Sequence, residues 1–307
     1  MIDREWVGQV LDALARCATQ NQANRLYIQI EVHASPEETA AIVDGVRARR
    51  MTLDPLHQRW HAVMEHALRG DGRTVQPYAR RPLCPGASMY AAPAGEDAIA
   101  RRTLVIAFTG NAERLMMPLA MFLQHCPADA YDFLVLFDPT RRFYLGGVEG
   151  FGSDLPASIA GIRERVGPER YRRAVAFGTS GGGLAAVWTA VELGLPRAVS
   201  VGGAMQSTIA ASERGQALDL SGFGDALARH AHHLPEVFYL AGDGAERDLR
   251  KGRELQAVLP TTLLLVPGCT HHNTLFQVRE LGGLDRLLEV LLGEGRVGAL
   301  GSTVRVG

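Results

Sequence analysis

The segment FGTSGGGL at residues 177–184 joins a short apolar run to an amphipathic one, and it decides how the chain is interpreted. Gly178, Ser180 and Gly182 form a Gly-x-Ser-x-Gly pattern in which small residues flank the serine, as a tight strand-to-helix turn requires. Such a turn lifts a side chain above the sheet, and the start of the next helix offers N–H groups to an oxyanion. The segment predicts a nucleophilic Ser180; the structural alternative is a Gly-rich turn with an incidental serine.

Short apolar runs recur on both sides of this segment, separated by stretches with helical spacing. The runs lack polar alternation, which is typical of strands buried on both faces of a parallel sheet. They lie at residues 103–108, 133–137, 174–177, 198–201, 237–240 and 262–266, and the predicted helices cover roughly 112–125, 155–170, 182–194, 245–258 and 275–292. This alternation predicts an α/β fold with a doubly wound, mostly parallel sheet, whose ligands bind at the carboxyl ends of the strands.

The first hundred residues follow a different pattern. Apolar positions predict helices over 5–18 and 55–69, Ser35-Pro36-Glu37-Glu38 is a helix start with a capping box, and 26–32 alternates like a short strand. Residues 71–102 indicate loops with one or two short edge strands. We therefore expect an N-terminal, mainly helical extension or small subdomain at 1–100, a catalytic domain at 101–295 and a C-terminal tail at 296–307.

The composition narrows the class of protein. The 307 residues are 47% hydrophobic and 21% charged, which excludes a disordered, collagen-like or coiled-coil chain. The net charge is −1, from 32 basic and 33 acidic residues, so no nucleic-acid partner is expected. Only one basic residue, Lys251, is a lysine, and we interpret this arginine bias as that of a GC-rich, bacterial genome.

The cysteines and the apolar runs bear on the compartment. The cysteines are far apart and form no CxxC pair, so neither a metal site nor a disulfide framework is expected; they are Cys17, Cys84, Cys126 and Cys269. The N-terminus lacks the apolar core of a signal peptide, and no run approaches the ~20 apolar residues that a membrane span needs. We expect a cytoplasmic protein without a membrane span.

A serine at neutral pH needs a base, and the base needs an orienting acid. The fifth apolar run ends in AGDGAERD at 241–248, where Asp243 lies nearest the strand end and is the preferred acid. Asp248 is the alternate, since it could instead be an acidic residue in the first turn of a helix. The sixth run leads to Cys269-Thr270-His271-His272-Asn273, where His272 is the preferred base and His271 the alternate.

With these features in place, residues 103–292 resemble the α/β-hydrolase fold, with the Gly-x-Ser-x-Gly turn after the third strand, the acid after the fifth and the histidine after the sixth. The resemblance implies a serine hydrolase that cleaves an ester or thioester of a small-molecule or carrier-bound acyl substrate through an acyl-enzyme, without metal or organic cofactor. It also implies an oxyanion hole from the N–H of Gly181 and the loop Thr109-Gly110-Asn111, where the family often has His-Gly. An alcohol acceptor in place of water would make the protein an acyltransferase.

Other side chains extend the candidate site. Arg141 or Arg142 could pair with an anionic group of a substrate, with Tyr144 packed against it, although such a loop is also typical of surface arginines around a buried tyrosine. Met116 and Met117 could line an acyl pocket or belong to a helix core.

Two further functions stay open. Ser180 with the Asp243-Gly244-Ala245 segment resembles the patatin-type Ser–Asp dyad, which works without histidine, although no Gly-rich oxyanion motif precedes the serine. A non-catalytic binding or scaffold protein of the same fold would use residues 1–100 to hold a partner.

Overall fold

The computed structural model describes residues 2–93, 96–215, 218–295 and 303–306. Within the first of these ranges four helices precede the sheet: α1 (Arg4–Ala15), α2 (Gln20–His33), α3 (Pro36–Ala48) and α4 (Pro55–Arg69). The predicted capping box is present, because the Ser35 hydroxyl accepts from the Glu38 N–H while the Glu38 carboxylate accepts from the Ser35 N–H. These helices bury a core of their own that includes Leu11, Tyr27 and Ile42.

The strand expected over 26–32 is wrong, because this segment lies inside α2. A capping box between Thr19 and Gln22 begins the helix. The buried side chains then follow helical spacing at Tyr27, Ile30 and Ala34, whereas Ile28, which the alternation would place beside Ile30 on one face of a strand, is exposed.

Nine strands of the described residues form one sheet in the order β1-β2-β4-β3-β5-β6-β7-β8-β9. The strands are β1 (Ala79–Cys84), β2 (Ala87–Ala91), β3 (Thr103–Phe108), β4 (Tyr131–Leu136), β5 (Arg173–Thr179), β6 (Arg197–Val201), β7 (Glu236–Gly242), β8 (Thr261–Val266) and β9 (Thr303–Arg305). The hairpin of β1 and β2 pairs antiparallel, β2 also runs antiparallel to β4, and the other neighbours are parallel. The predicted mostly parallel sheet of an α/β-hydrolase-like fold is confirmed.

Helices cover both faces of this sheet. They are α5 (Glu96–Ile99), α6 (Leu119–Gln124), α7 (Leu155–Val166), α8 (Gly183–Leu193), α9 (Gln206–Ala210), α10 (Ser221–Arg229), α11 (Glu246–Val258), α12 (Thr274–Glu280) and α13 (Leu284–Leu292), with short 3-10 turns at Gly70–Gly72, Pro168–Arg170 and Ser180–Gly182. Successive residues of β3 face opposite layers: Val105 belongs to the buried cluster that includes residues of α6, α12 and α13, whereas Leu104 and Ile106 belong to the cluster that includes residues of α7 and α8.

One predicted helix is shorter in the structure, and segments on both sides of the predicted catalytic domain add strands to the sheet. The helix expected over 112–125 is only α6, because Pro118 stands at its start and Glu113 and Met116 take positive φ angles, so 110–118 is a loop. Strands β1 and β2 fall within the predicted extension 1–100 but belong to the sheet. In the predicted tail, 296–302 and 307 lie outside the described residues, and Thr303–Arg305 pairs with β8.

The helices of the described residues can be compared with the length and hydropathy that a membrane span requires. Among them, no helix is both long enough and apolar enough to span a bilayer.

Candidate active site

Ser180 lies on the turn between β5 and α8 with a φ of 48°, a left-handed conformation that is uncommon for a residue with a side chain. The turn is tight: a Cβ on Gly178 would collide with the carbonyl oxygen of Gly182. The Ser180 carbonyl accepts a 2.7 Å hydrogen bond from the Ala204 N–H, which ties the turn to the loop after β6. Strain of this kind, of order 1–3 kcal/mol, persists only where the surroundings enforce it, and it is common at active sites.

His272 follows β8, and its ring contacts a buried carboxylate. Its Nδ1 lies 2.7 Å from Oδ2 of Asp248, which sits in the first turn of α11 and is only 3% exposed. The His272 side chain itself is 47% exposed, so its other nitrogen is accessible to a reactant. His271 is exposed and its Nε2 lies 3.1 Å from Oε1 of Gln277. Of the two histidines considered, the structure therefore brings His272 to an acid.

That acid is the alternate, Asp248, and the preferred Asp243 has a different environment. Oδ1 of Asp243 accepts a 2.8 Å hydrogen bond from the N–H of Gly268 and so joins the turns after β7 and β8. Asp243 lies in the turn itself, whereas the first turn of α11 directs Asp248 inward. The choice of the residue nearest the strand end therefore differs from the pairing in the structure.

Asp248 is held by two cationic or proton-donating partners. Lys251 Nζ lies 2.7 Å from Oδ1, while His272 holds Oδ2. Burial would raise the pKa of Asp248, but the hydrogen bonds from His272 and Lys251 and their charges hold it below its usual range. The carboxylate is therefore ionised at neutral pH and can only accept hydrogen bonds, so the His272 Nδ1–H donates to it.

Two cavities within the described residues border both Ser180 and His272. The first, of about 580 Å³, has a mixed lining whose polar side chains include Thr208, Ser212, Glu246, Arg247 and Lys251. The second, of about 450 Å³, is lined by apolar side chains that include Met116, Met117, Pro118 and Phe276. Ser180 thus lies between a cavity of mixed lining and an apolar cavity, and the methionine pair lines the apolar one.

In the candidate oxyanion loop, some N–H groups are hydrogen-bonded within the protein, and others border the first cavity. The Thr109 N–H and hydroxyl both donate to the Leu136 carbonyl, and the Gly110 N–H donates to the Arg114 carbonyl. Asn111 and Gly181 border the first cavity, and within the described part of the chain neither backbone N–H donates to a protein acceptor. Of the four residues expected to supply donors, Asn111 and Gly181 are the two with N–H groups free to bind a ligand.

The loop after β4 differs from its expected role. Tyr144 is 1% exposed, and its hydroxyl lies within 3.0 Å of the Leu136 and Thr109 carbonyls, so it supports the oxyanion loop from below. Arg141 and Arg142 are exposed, and neither borders the two cavities as the described residues outline them. Phe143, which is not among the predicted site residues, lines the first cavity with a φ of 59°. Its position in the same strand-end loop was the available signal.

The N-terminal helices also reach the site, and nothing in the sequence indicated this. Glu31 of α2 forms an ion pair with Arg114, whose side chain borders the second cavity and whose carbonyl receives the Gly110 N–H. The Trp60 indole N–H of α4 donates to the same Glu31 carboxylate at 2.9 Å. Residues from both α2 and α4 therefore hold the loop that carries Asn111.

The donor types at the site favour acid–base chemistry. Among the described residues, no group of three or more His, Cys, Asp and Glu side chains is arranged to hold a metal ion. A buried carboxylate, an accessible imidazole and a hydroxyl on a strained turn can act in nucleophilic catalysis with proton transfer.

Comparisons with known proteins give structural likenesses only. No protein-family model matches the sequence, and no curated protein matches it. A dienelactone hydrolase from Anabaena variabilis has a TM-score of 0.45 and 16% identity over 71% of this chain and 100% of its own. The 2,6-dihydroxy-pseudo-oxynicotine hydrolase has a TM-score of 0.47 and 14% identity over 96% and 97%. A capsule O-acetyltransferase of Neisseria meningitidis serogroup A has a TM-score of 0.45 and 11% identity over 69% and 95%.

These likenesses carry no activity or substrate over to this chain. Its own strand order, parallel core and strand–serine–helix turn define an α/β-hydrolase-like fold.

Proposed function

We propose that this protein is a serine hydrolase that cleaves an ester or thioester through an acyl-enzyme on Ser180. The observation that carries the proposal is the 2.7 Å pairing of His272 Nδ1 with the buried Asp248 carboxylate, beside a cavity that the strained Ser180 also lines. A base oriented by an acid next to a hydroxyl on a tight turn is the arrangement that activates a serine.

In the proposed reaction, Ser180 Oγ attacks the carbonyl carbon and its proton passes to Nε2 of His272. Asp248 holds the imidazole and stabilises the imidazolium that forms. The N–H groups of Gly181 and Asn111 receive the negative oxygen, and losing one such donor typically raises the barrier by ~2.7–4 kcal/mol. The imidazolium returns the proton to the leaving alcohol or thiol, and water then releases the acid by the same steps in reverse.

The linings of the two cavities support an orientation for the substrate. Met116, Met117 and Phe276 suit an apolar acyl group, since apolar lining favours burial of apolar atoms. Thr208, Ser212 and other polar groups of the first cavity suit a polar leaving group. The same cavity would accept a hydroxylated acceptor in place of water, which would make the protein an acyltransferase.

The test is labelling with a fluorophosphonate probe, with the modified peptide identified by mass spectrometry. We expect labelling on Ser180 and its loss in Ser180→Ala. Asp248→Asn and Asp243→Asn form a matched pair of carboxylate variants: the first should slow labelling strongly, by up to the ~10⁴-fold seen when a triad acid becomes an amide. The second should label at the wild-type rate.

Other results would favour the remaining functions. A folded wild-type protein that is not labelled would favour a non-catalytic binding role. Labelling that survives the double substitution of His271 and His272 by alanine would favour a Ser–Asp dyad. Product analysis of an acyl ester in the presence of a polyol would separate hydrolysis from transfer.

A further inference from the structure

Lys251, the only lysine in the sequence, is placed against the acid of the candidate triad. It lies on α11 three residues after Asp248, so both side chains project from the same face of the helix. We propose that Lys251 is a positioning residue for the reaction: it orients the Asp248 carboxylate, balances its charge and ties it to the loop beside His272. This inference rests on the proposed function, which gives the carboxylate its role.

The first observation is how the two carboxylate oxygens are divided. Lys251 Nζ lies 2.7 Å from Oδ1, and His272 Nδ1 lies 2.7 Å from Oδ2. The lysine side chain is only 16% exposed and that of Asp248 only 4%, so the pair is shielded from solvent. A carboxylate held at both oxygens cannot rotate, which fixes the direction in which it accepts the hydrogen bond from the imidazole N–H.

The second observation is that Lys251 also holds the loop that touches the imidazole. Its Nζ donates to the Gly202 carbonyl at 3.2 Å. Gly202 has a φ of +53°, and a Cβ there would lie 2.8 Å from Cε1 of His272, so this backbone packs directly against the ring. Two residues further on, the Ala204 N–H donates to the Ser180 carbonyl. The ammonium therefore joins the acid to the backbone that contacts both His272 and the serine turn.

Lys251 is the principal positive charge that faces the Asp248 carboxylate, as the other groups around it show. From α11 itself, Glu246 and Arg247 are exposed at the cavity, and Glu254 is engaged with Ser207. From β7, the buried Tyr239 donates its hydroxyl to the Gly203 carbonyl. The loop after β8 contributes His272, whose charge changes during the reaction, and the exposed His271, which faces Gln277; the loop after β6 contributes Gly202 and Gly203.

Removal of the Lys251 ammonium should change the charge balance at Asp248 in a defined direction. Without it, the carboxylate is an uncompensated negative charge beside the imidazole, and it stabilises the imidazolium more strongly. The pKa of Asp248 rises, because burial is opposed by one partner instead of two. A residue that served only packing would produce neither effect.

The experiment measures the second-order rate of fluorophosphonate labelling of Ser180 against pH. We expect Lys251→Met to lower the rate, by up to ~10²-fold if the imidazole is misplaced. The acidic limb of its rate profile should move to higher pH, because an Asp248 carboxylate held by one partner instead of two loses its charge at a higher pH. Lys251→Arg, which keeps the charge, should retain the wild-type limb. Arg253→Met is the matched control, because Arg253 is an exposed cation on the same helix, and it should behave as wild type.

A second readout needs no activity: the ¹³Cγ resonance of Asp248, assigned by its loss in Asp248→Asn, followed against pH. The proposal is overturned if Lys251→Met is labelled with the same acidic limb as the wild type and its Asp248 resonance titrates at the same pH. Absence of labelling in the wild type overturns the proposed function, whereas an Asp248 titration that moves up in Lys251→Met still supports the ion-pair role. If Lys251→Met does not fold, amine acetylation of the wild type removes the same charge and reductive methylation keeps it.

Discussion

Two histidines of the N-terminal helices are held neutral by burial, which makes stability depend on pH in the mildly acidic range. Burial, with a smaller contribution from His57 and Arg47, lowers the pKa of His61 to about 4. Burial and the nearby Arg80 lower the pKa of His33 to about 4. His61 Nε2 lies 2.7 Å from the Tyr27 hydroxyl, so its ring is part of the contact between α2 and α4.

The sign follows from proton binding. Between the unfolded pKa of about 6.5 and the folded pKa of about 4, the unfolded chain binds more protons than the folded one, so stability falls as pH falls through this window. At pH 5 each histidine then costs about 2 kcal/mol relative to neutral pH. The perturbation is His61→Gln, which keeps an acceptor for Tyr27 but does not titrate. We expect the wild type to lose about 2 kcal/mol more than this variant between pH 7 and pH 5.

Urea unfolding at the two pH values, followed by tryptophan fluorescence, measures this difference. Trp60 is a suitable reporter because its ring lies 4.7 Å from that of Tyr27. His66→Gln serves as the control, since His66 is an exposed histidine of the same helix. Equal pH dependence in the wild type and His61→Gln would refute the reasoning, because the carboxyl groups that also titrate are shared by both proteins.

Three further substitutions have expected outcomes. Gly202→Ala should lower stability by about 1–3 kcal/mol through its positive φ and reduce probe labelling, because the new Cβ meets His272; urea melts and labelling rates check both effects. Glu31→Gln should slow labelling without unfolding the sheet, since it weakens the hold on Arg114; an unchanged rate in protein with wild-type circular dichroism would exclude this coupling. Tyr144→Phe should cost about 1–3 kcal/mol, because it removes a buried hydroxyl and the hydrogen bond that this hydroxyl supplies to the Thr109 carbonyl; a melt within error of wild type would contradict this.

Much of the fold could be predicted because the parallel strands are short, apolar and flanked by Gly, Pro, Asp or Asn. The run at 103–108 coincides with β3, and the run at 262–266 differs from β8 by one residue. The position of the serine turn follows from its glycines alone. By contrast, the stretch 26–32 alternates in sequence yet forms a helix, because the contacts of Tyr27 with α4 and a capping box outweigh a weak local pattern.

The pairing within the candidate site depends on features that chain order does not contain. Asp243 and Asp248 both follow β7, and their distance from the strand end favours the first. Which one meets His272 depends on how α11 turns over the sheet and on what else needs a carboxylate: the Gly268 N–H is satisfied by Asp243, which leaves the helix residue for the imidazole. Position along the chain selects candidates, and competition for hydrogen-bond donors selects among them.

The N-terminal helices contribute contacts to the candidate site. A helical extension placed before an α/β sheet is easily regarded as a separate unit, yet Glu31 reaches Arg114, and the Arg114 carbonyl accepts both the Gly110 N–H and the Thr179 hydroxyl. The loop that carries Asn111 is therefore held by Glu31 of α2, through Arg114, and by the Tyr144 hydroxyl, which donates to the Thr109 carbonyl. Because Glu113 and Met116 in this loop have positive φ angles, its conformation needs such support. Removal of residues 2–69 should accordingly impair the candidate site even where the sheet survives.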